Sequence, residues 1–220
     1  MNTYTEENYL KTIYKLLEKQ SGPISTNDIA GQIKTKAASV TDMLKKLSAK
    51  KLIHYKKYQG VTLSEKGKKT ALNIIRKHRL WEVFLVKKLQ FKWDEVHDIA
   101  EQLEHIQSDK LVKQVDKFLN FPKFDPHGDP IPDENGKLSE KKSFLLSELT
   151  ENEQGVMTGV VDHSDSFLRY LDSIEVALGN EIRVKKTEYY DKSFCVSIGK
   201  RKILYFSNEV ARNILVEKTT

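Results

Sequence analysis

Apolar residues recur three and four apart through the first half of the chain and alternate with polar ones over its last third. The first spacing puts side chains on one face of a helix, the second on one face of a strand. Tyr9, Leu10, Ile13, Tyr14, Leu16 and Leu17 form a helical stripe and predict a helix over residues 5–20. Thr5 is its expected N-cap, and Glu6 and Glu7 suit its positive end. Ser21-Gly22-Pro23 ends it. Ser25, Thr26, Asn27 and Asp28 supply caps for a short helix that turns Ile29, Ala30 and Ile33 inward. Lys34-Thr35-Lys36 is a turn, and a third helix over residues 37–50 buries Val40, Met43, Leu44 and Leu47. Short helix, turn and helix make a helix-turn-helix. Aromatic and β-branched residues over 52–58 and 61–63 flank Gln59-Gly60 and predict a hairpin. Three helices followed by a basic hairpin form a winged helix.

Beyond it, Ala71, Leu72, Ile75, Leu80, Val83, Phe84 and Val86 give a long helix over residues 64–90 an extended apolar face. Further helices are expected over 94–107 and after Ser108, the last with Leu111, Val112, Val115, Phe118 and Leu119 inward. Helices so short carry too little apolar cover for a core of their own, which predicts a homodimer interface. Residues 120–143 hold four of the five prolines and read as a linker. From Phe144 the pattern changes. Strands are expected over 155–161, 181–185, 193–198 and 202–206, with a helical turn over 166–171 and Cys195 filling the core. Short strands at this spacing suggest a small barrel. The fold class is therefore mainly α with a small β domain. Its expected parts are a winged helix-turn-helix (1–70), a helical dimerisation and metal-binding domain (71–140) and a C-terminal SH3-like barrel (144–220).

Charge sharpens this picture. The chain is +6 overall, but residues 1–80 carry 17 Lys+Arg against 6 Asp+Glu, leaving the remainder net negative. A basic N-terminal third suggests a polyanionic partner, double-stranded DNA for a winged helix. The third helix would offer Lys36, Ala38, Ser39, Thr41, Asp42 and Lys45 to the major groove. Lys56 and Lys57 on the wing would meet phosphates, which position the protein without specifying sequence. Asp42 could accept from cytosine N4 or cap locally. No apolar run reaches the ~18 residues of a membrane span, and no signal peptide is visible at the start. A single cysteine forms no internal disulfide and fits the cytoplasm.

Three of the six histidines, His78, His97 and His105, fall in one stretch with Glu82, Glu101 and Glu104. His78 and Glu82 share a helix face, as do His97, Glu101, Glu104 and His105. Imidazole with several carboxylates is a donor set for a divalent transition metal. A carboxylate-bridged dimetal enzyme would need Glu-x-x-His on paired helices; the spacing here is Glu101-x-x-Glu104-His105, with no second copy and no HExxH. The expectation is a regulator, not an enzyme.

The motifs TEENYLKTIY, RKHRLWEVFL, EVHDIAEQLEHIQSD, PHGDPIP and FLRYLDSIEVALGNEIRV occur in order along nearly the whole chain. Together with the winged helix, they resemble the diphtheria toxin repressor family of metal-dependent regulators, and more narrowly its three-domain manganese-sensing members. The barrel resembles the SH3-like domain of ferrous-transport accessory proteins. The resemblance implies a primary metal site of Asn8, Glu101, Glu104 and His105. It also implies an ancillary site of His78, Glu82 and His97, with a barrel ligand at His163 or, second, Asp165. It further implies a dimer reading a pseudo-palindromic operator of metal-uptake genes, with Mn²⁺ as effector and Fe²⁺ as the alternative. Iron-sensing members carry a cysteine at the position of Glu101 and a methionine near Asn8; manganese members usually have Asp there. Glu101 hardens the site towards Mn²⁺, whereas Asn8 removes a negative charge. Lys11 stands where two-domain manganese regulators have a glutamate, which argues against their paired-metal geometry.

Overall fold

The computed structural model describes residues 2–56, 59–199 and 202–219. Lys57, expected on the wing, lies outside them. By its contacts the chain divides into two compact units. One comprises Met1–Trp81, Ala100–Phe118 and Ile131–Leu138; the other comprises Glu82–Ile99, Leu119–Pro130 and Ser139–Thr220.

In the first unit, α1 (Tyr4–Lys19) begins at Tyr4, one residue before the expected span of 5–20. Its N-cap is Thr3, not Thr5. The reason is a capping box: Thr3 Oγ1 accepts from the Glu6 amide at 3.3 Å, and Glu6 Oε2 accepts from the Thr3 amide at 2.9 Å. Three residues after Thr5 stands Asn8, with no carboxylate to reach back. The helices α2 (Thr26–Ile33) and α3 (Ala37–Ala49) follow, with Ser25 capping α2 through a second box. The wing is β1 (Ile53–Lys56) paired antiparallel with β2 (Gly60–Leu63). Leu10, Ile13, Ile24, Ile29, Val40, Leu44, Leu47 and Val61 are fully buried and form the core that fixes α3 against α1. Full burial of each aliphatic side chain stabilises the fold by ~1.5–3 kcal/mol. Helix α4 (Glu65–Leu89) starts where Gly67 passes over the Leu52 carbonyl; a Cβ there would lie 1.9 Å from that oxygen.

The helix expected over 94–107 is only α5 (His97–Leu103). Its N-terminal part is replaced by a turn in which the Lys92 amide donates to Glu95 Oε2. Beyond Leu103 the chain leaves the helical path, and Glu104, His105 and Gln107 all turn to α1. Helix α6 (Asp109–Phe118) is held to α4 by Arg76, which donates to Asp116 at 2.6 Å and to the Pro132 carbonyl at 2.7 Å.

The second unit is built on a six-stranded antiparallel sheet ordered β3-β8-β4-β5-β6-β7. Its strands are β3 (Phe144–Leu145), β4 (Gln154–Val160), β5 (Glu181–Thr187), β6 (Phe194–Ile198), β7 (Lys202–Phe206) and β8 (Ile214–Thr219). The helices α7 (Asp165–Ser173) and α8 (Asn208–Arg212) complete it. Met157, Leu168, Leu171, Ile182, Val184, Phe194, Val196, Phe206, Ile214 and Val216 form its core. Cys195 is half-buried instead of a core residue, because strand periodicity puts it on the face opposite Phe194 and Val196.

Part of the proline-rich stretch is a built turn, not a tether. Asp125 Oδ1 accepts from the amides of His127 at 2.8 Å and Asp129 at 3.0 Å. Gly128, at φ +93°, lies so close to β4 that a Cβ would come within 2.1 Å of the Thr158 carbonyl. The Val160 amide then donates to the His127 carbonyl at 3.0 Å.

Candidate metal centres and DNA-binding surface

Successive residues of α1 face different neighbours, because each step along a helix rotates the side chain by about 100°. Glu6 points to the C-terminal end of α3 and pairs with Lys46 at 3.2 Å and Lys50 at 2.7 Å. Burial raises the pKa of Glu6, but hydrogen bonds from Lys50, the Thr3 amide and Lys46 outweigh it and hold the carboxyl at about 2. Glu7 points to the segment after α5, accepting from His105 Nδ1 at 2.6 Å and Gln107 Nε2 at 3.1 Å. One turn further on, the Lys11 ammonium lies between Glu101 Oε1 at 2.5 Å and Glu104 Oε1 at 2.6 Å. Glu104 is fully buried, and its second oxygen meets His78 Nδ1 at 2.7 Å. His105 Nε2 lies 3.4 Å from Glu104 Oε1, and the Tyr4 ring covers the imidazole with 3.7 Å between centroids.

Glu101, Glu104 and His105, three of the expected primary-site residues, thus gather beside α1. His78, expected at the ancillary site, joins them: one ligand atom each from His78, Glu101 and Glu104 falls within 4.8 Å of the others. Asn8 Oδ1 and His105 Nε2 are buried without a hydrogen-bond partner. A buried lone pair left unpaired is costly, and both atoms are good donors to a divalent cation. The residues therefore fit such an ion, with oxygen and imidazole donors suited to Mn²⁺ or Fe²⁺. Nearby, burial lowers the pKa of the Lys77 ammonium, while Glu7 and Glu104 oppose the shift.

In the second unit, Glu82, Asp125 and His127 are all buried and bring one ligand atom each within 4.8 Å of the others. His127 Nδ1 is 3.9 Å from both carboxylates, and its Nε2 donates to the Trp93 carbonyl at 3.0 Å. That bond fixes the tautomer with the Nδ1 lone pair towards the carboxylates. His97 Nδ1 lies 3.7 Å from Glu82 Oε1. His163 is exposed, and its ring stacks on His127 with 5.0 Å between centroids. Of the expected ancillary residues, Glu82, His97 and His163 collect around this cluster. Asp165, the second choice, is exposed at the start of α7 and pairs with Arg169. The pattern reading missed Asp125 and His127, which lie in the stretch taken as linker. The signal was present in DPHG, where Asp125 and His127 lead into a turn made at Gly128, which has φ +93°.

On α3, Lys36, Ala38, Ser39, Asp42 and Lys45 are exposed along one face. Thr41 is half-buried and its hydroxyl donates to the Ala37 carbonyl at 3.0 Å. Asp42 pairs with Lys45 at 3.2 Å, and both remain solvated. Lys56 is exposed on the wing. A cleft of about 520 Å³ between α2, α3 and the wing is lined by Ser25, Thr26, Asn27, Thr41 and Tyr55.

The model of the "Iron dependent repressor, N-terminal DNA binding domain" matches residues 1–61. That of the "Iron dependent repressor, metal binding and dimerisation domain" matches 64–133, and the FeoA domain matches 144–218. The iron-dependent repressor IdeR of Mycobacterium tuberculosis is 34% identical over 128 residues, 58% of this chain and 55% of that protein. The diphtheria toxin repressor of Corynebacterium jeikeium is 33% identical over 58% of this chain and 53% of its own length. The chain spans about half the length of the curated relatives it matches. A solved manganese-dependent transcriptional repressor in complex with manganese is similar throughout: 33% identical, TM-score 0.84, over 97% of this chain and all of that one. ScaR with bound Cd²⁺ is likewise 33% identical, with a TM-score of 0.76 over 97% of this chain and 99% of that one. No described helix is long and apolar enough to cross a membrane. With a basic winged helix, a carboxylate–imidazole cluster beside its first helix, and solved relatives over 97% of the chain, the protein belongs to the diphtheria toxin repressor family of metal-dependent transcriptional repressors.

Proposed function

We propose that this protein is a Mn²⁺-responsive cytoplasmic repressor that binds, as a homodimer, a pseudo-palindromic operator of metal-uptake genes. The observation that carries the reading is the division of labour along the first turns of α1. Glu6 grips Lys46 and Lys50 of the recognition helix α3, while Glu7 and Lys11 reach His105, Glu101 and Glu104. Helix α1 therefore links the primary metal residues to the surface that meets DNA. A divalent cation at Asn8, Glu101, Glu104 and His105 would supply the charge that draws these donors together. Asn8 then fixes the first turns of α1, and Glu6 passes that order to α3. The equilibrium shifts only by the difference in cation affinity between the ordered and loosened arrangements. A second, structural cation site at Glu82, Asp125 and His127, with His97 and His163 beside it, is supported by the burial of its three donors.

Preference for Mn²⁺ over Fe²⁺ rests on Glu101, an oxygen donor in the primary set, and on the manganese-dependent neighbours. Metal-stripped protein should bind an uptake-gene promoter fragment tightly only after Mn²⁺ is added, as read by fluorescence anisotropy at fixed salt. An equal response to Fe²⁺ would leave a metal sensor but remove the manganese preference. Binding indifferent to every metal would overturn the sensor reading.

A further inference from the structure

We infer that the Lys11 ammonium is a built-in competitor for the primary metal site, a tethered cation that the metal must displace. The inference rests on the sensor reading above and specifies how the site is set. Lys11 is nearly buried and lies at 2.5 and 2.6 Å from one oxygen each of Glu101 and Glu104. The other oxygen of Glu104 is taken by His78. Both oxygens of the most buried carboxylate are thus engaged before any metal arrives. A divalent ion coordinated by Glu104 needs a lone pair that Lys11 or His78 now holds, and it would sit within a few ångströms of a like charge. Asn8 Oδ1 and His105 Nε2, buried without a hydrogen bond, mark where the incoming ion gains donors that Lys11 cannot use, because an ammonium offers one compact charge and three hydrogens.

Two consequences follow from the same contacts. In the metal-free protein Lys11 neutralises the carboxylate pair and keeps α1 docked, so the ligands are held close instead of repelling one another apart. The metal threshold is then set by exchange of one cation for another, and lies higher than the donor set alone would give. Lys11→Met keeps the length of the side chain and removes the charge. It should bind Mn²⁺ about tenfold or more tightly than wild type in calorimetric titration. The metal-free variant should exchange the backbone amides of α1 faster. Lys11→Arg retains the charge and should stay within about threefold of wild type. If Lys11→Met folds poorly, Lys11→Gln provides the same neutralisation with a polar end and should move affinity in the same direction.

Mn²⁺ binding by Lys11→Met or Lys11→Gln that is no tighter than wild type overturns the inference while leaving the sensor intact. If Glu104→Gln titrates like wild type, Glu104 holds no metal, and the primary-site reading falls together with this one.

Discussion

Replacing Glu104 by Gln keeps the volume of a fully buried side chain and removes only its charge. Two contacts weaken: the Lys11 ammonium at 2.6 Å and His78 Nδ1 at 2.7 Å. A hydrogen bond to a charged group contributes roughly 1 kcal/mol more than a neutral one, so metal-free protein should lose about 2 kcal/mol. For a chain of this size that lowers Tm by about 4–8 °C. The larger signal comes with metal. At a Mn²⁺ concentration ~100 times the wild-type Kd, binding stabilises wild type by about 2.7 kcal/mol. If the amide weakens binding about 100-fold, the same concentration stabilises the variant by only about 0.4 kcal/mol. Scanning fluorimetry with and without Mn²⁺, in an Asp125→Asn background that removes the second site, should therefore show a clear rise in Tm with Glu104 present and about 1 °C with Glu104→Gln. A variant with the full metal-induced rise would refute Glu104 as a ligand, whatever its metal-free Tm.

Asp125→Asn and His127→Ala should each reduce bound Mn²⁺ by one equivalent per chain while sparing binding at Glu104; elemental analysis after dialysis that shows unchanged stoichiometry would remove the second site. Glu6 has its folded pKa at about 2, below its ordinary 4.5, so its contribution is complete above about pH 5 and is lost as pH falls towards 2. Glu6→Gln should flatten that acid limb in denaturant titrations and cost about 1–3 kcal/mol at neutral pH; a limb of unchanged steepness would mean that the links to Lys46 and Lys50 contribute little. Lys36→Ala and Lys56→Ala each remove one phosphate contact per protomer, two per dimer, and should each lower the slope of log K against log salt by about 1.8 without altering base preference, as anisotropy over a salt series would read. A changed operator preference would instead place these lysines on base edges.

The winged helix was legible because its signals are local. Caps, a helical apolar period and a Gly-centred hairpin each act over a few residues, and each agrees with its neighbours. That Glu101, Glu104 and His105 lie together in one short segment could be read for the same reason, whereas their expected helix face shared with His97 was not kept, because α5 ends at Leu103 and His97 turns to Glu82. The strands of the second unit could be read except for β3, which is two residues long, and β8, where Ile214-Leu215-Val216 is a continuous apolar run with no alternation. The place of β8 between β3 and β4 is a long-range pairing that no local period encodes.

Other features depended on atoms distant in sequence. Thr3 is the cap because Glu6 reaches back to it, and α5 is short because the residues after Leu103 reach Glu7 and Lys11 across some ninety positions. Asp125 and His127 looked like linker residues until the turn at Gly128 seated against β4 and brought them to Glu82. Lys11 shows the difference most clearly. By itself the sequence determined the helix that carries it and the carboxylates it could meet. Only the tertiary structure decided that the ammonium lies between Glu101 and Glu104, because burial of Lys11 and Glu104 removes the water that would otherwise satisfy those two charges separately.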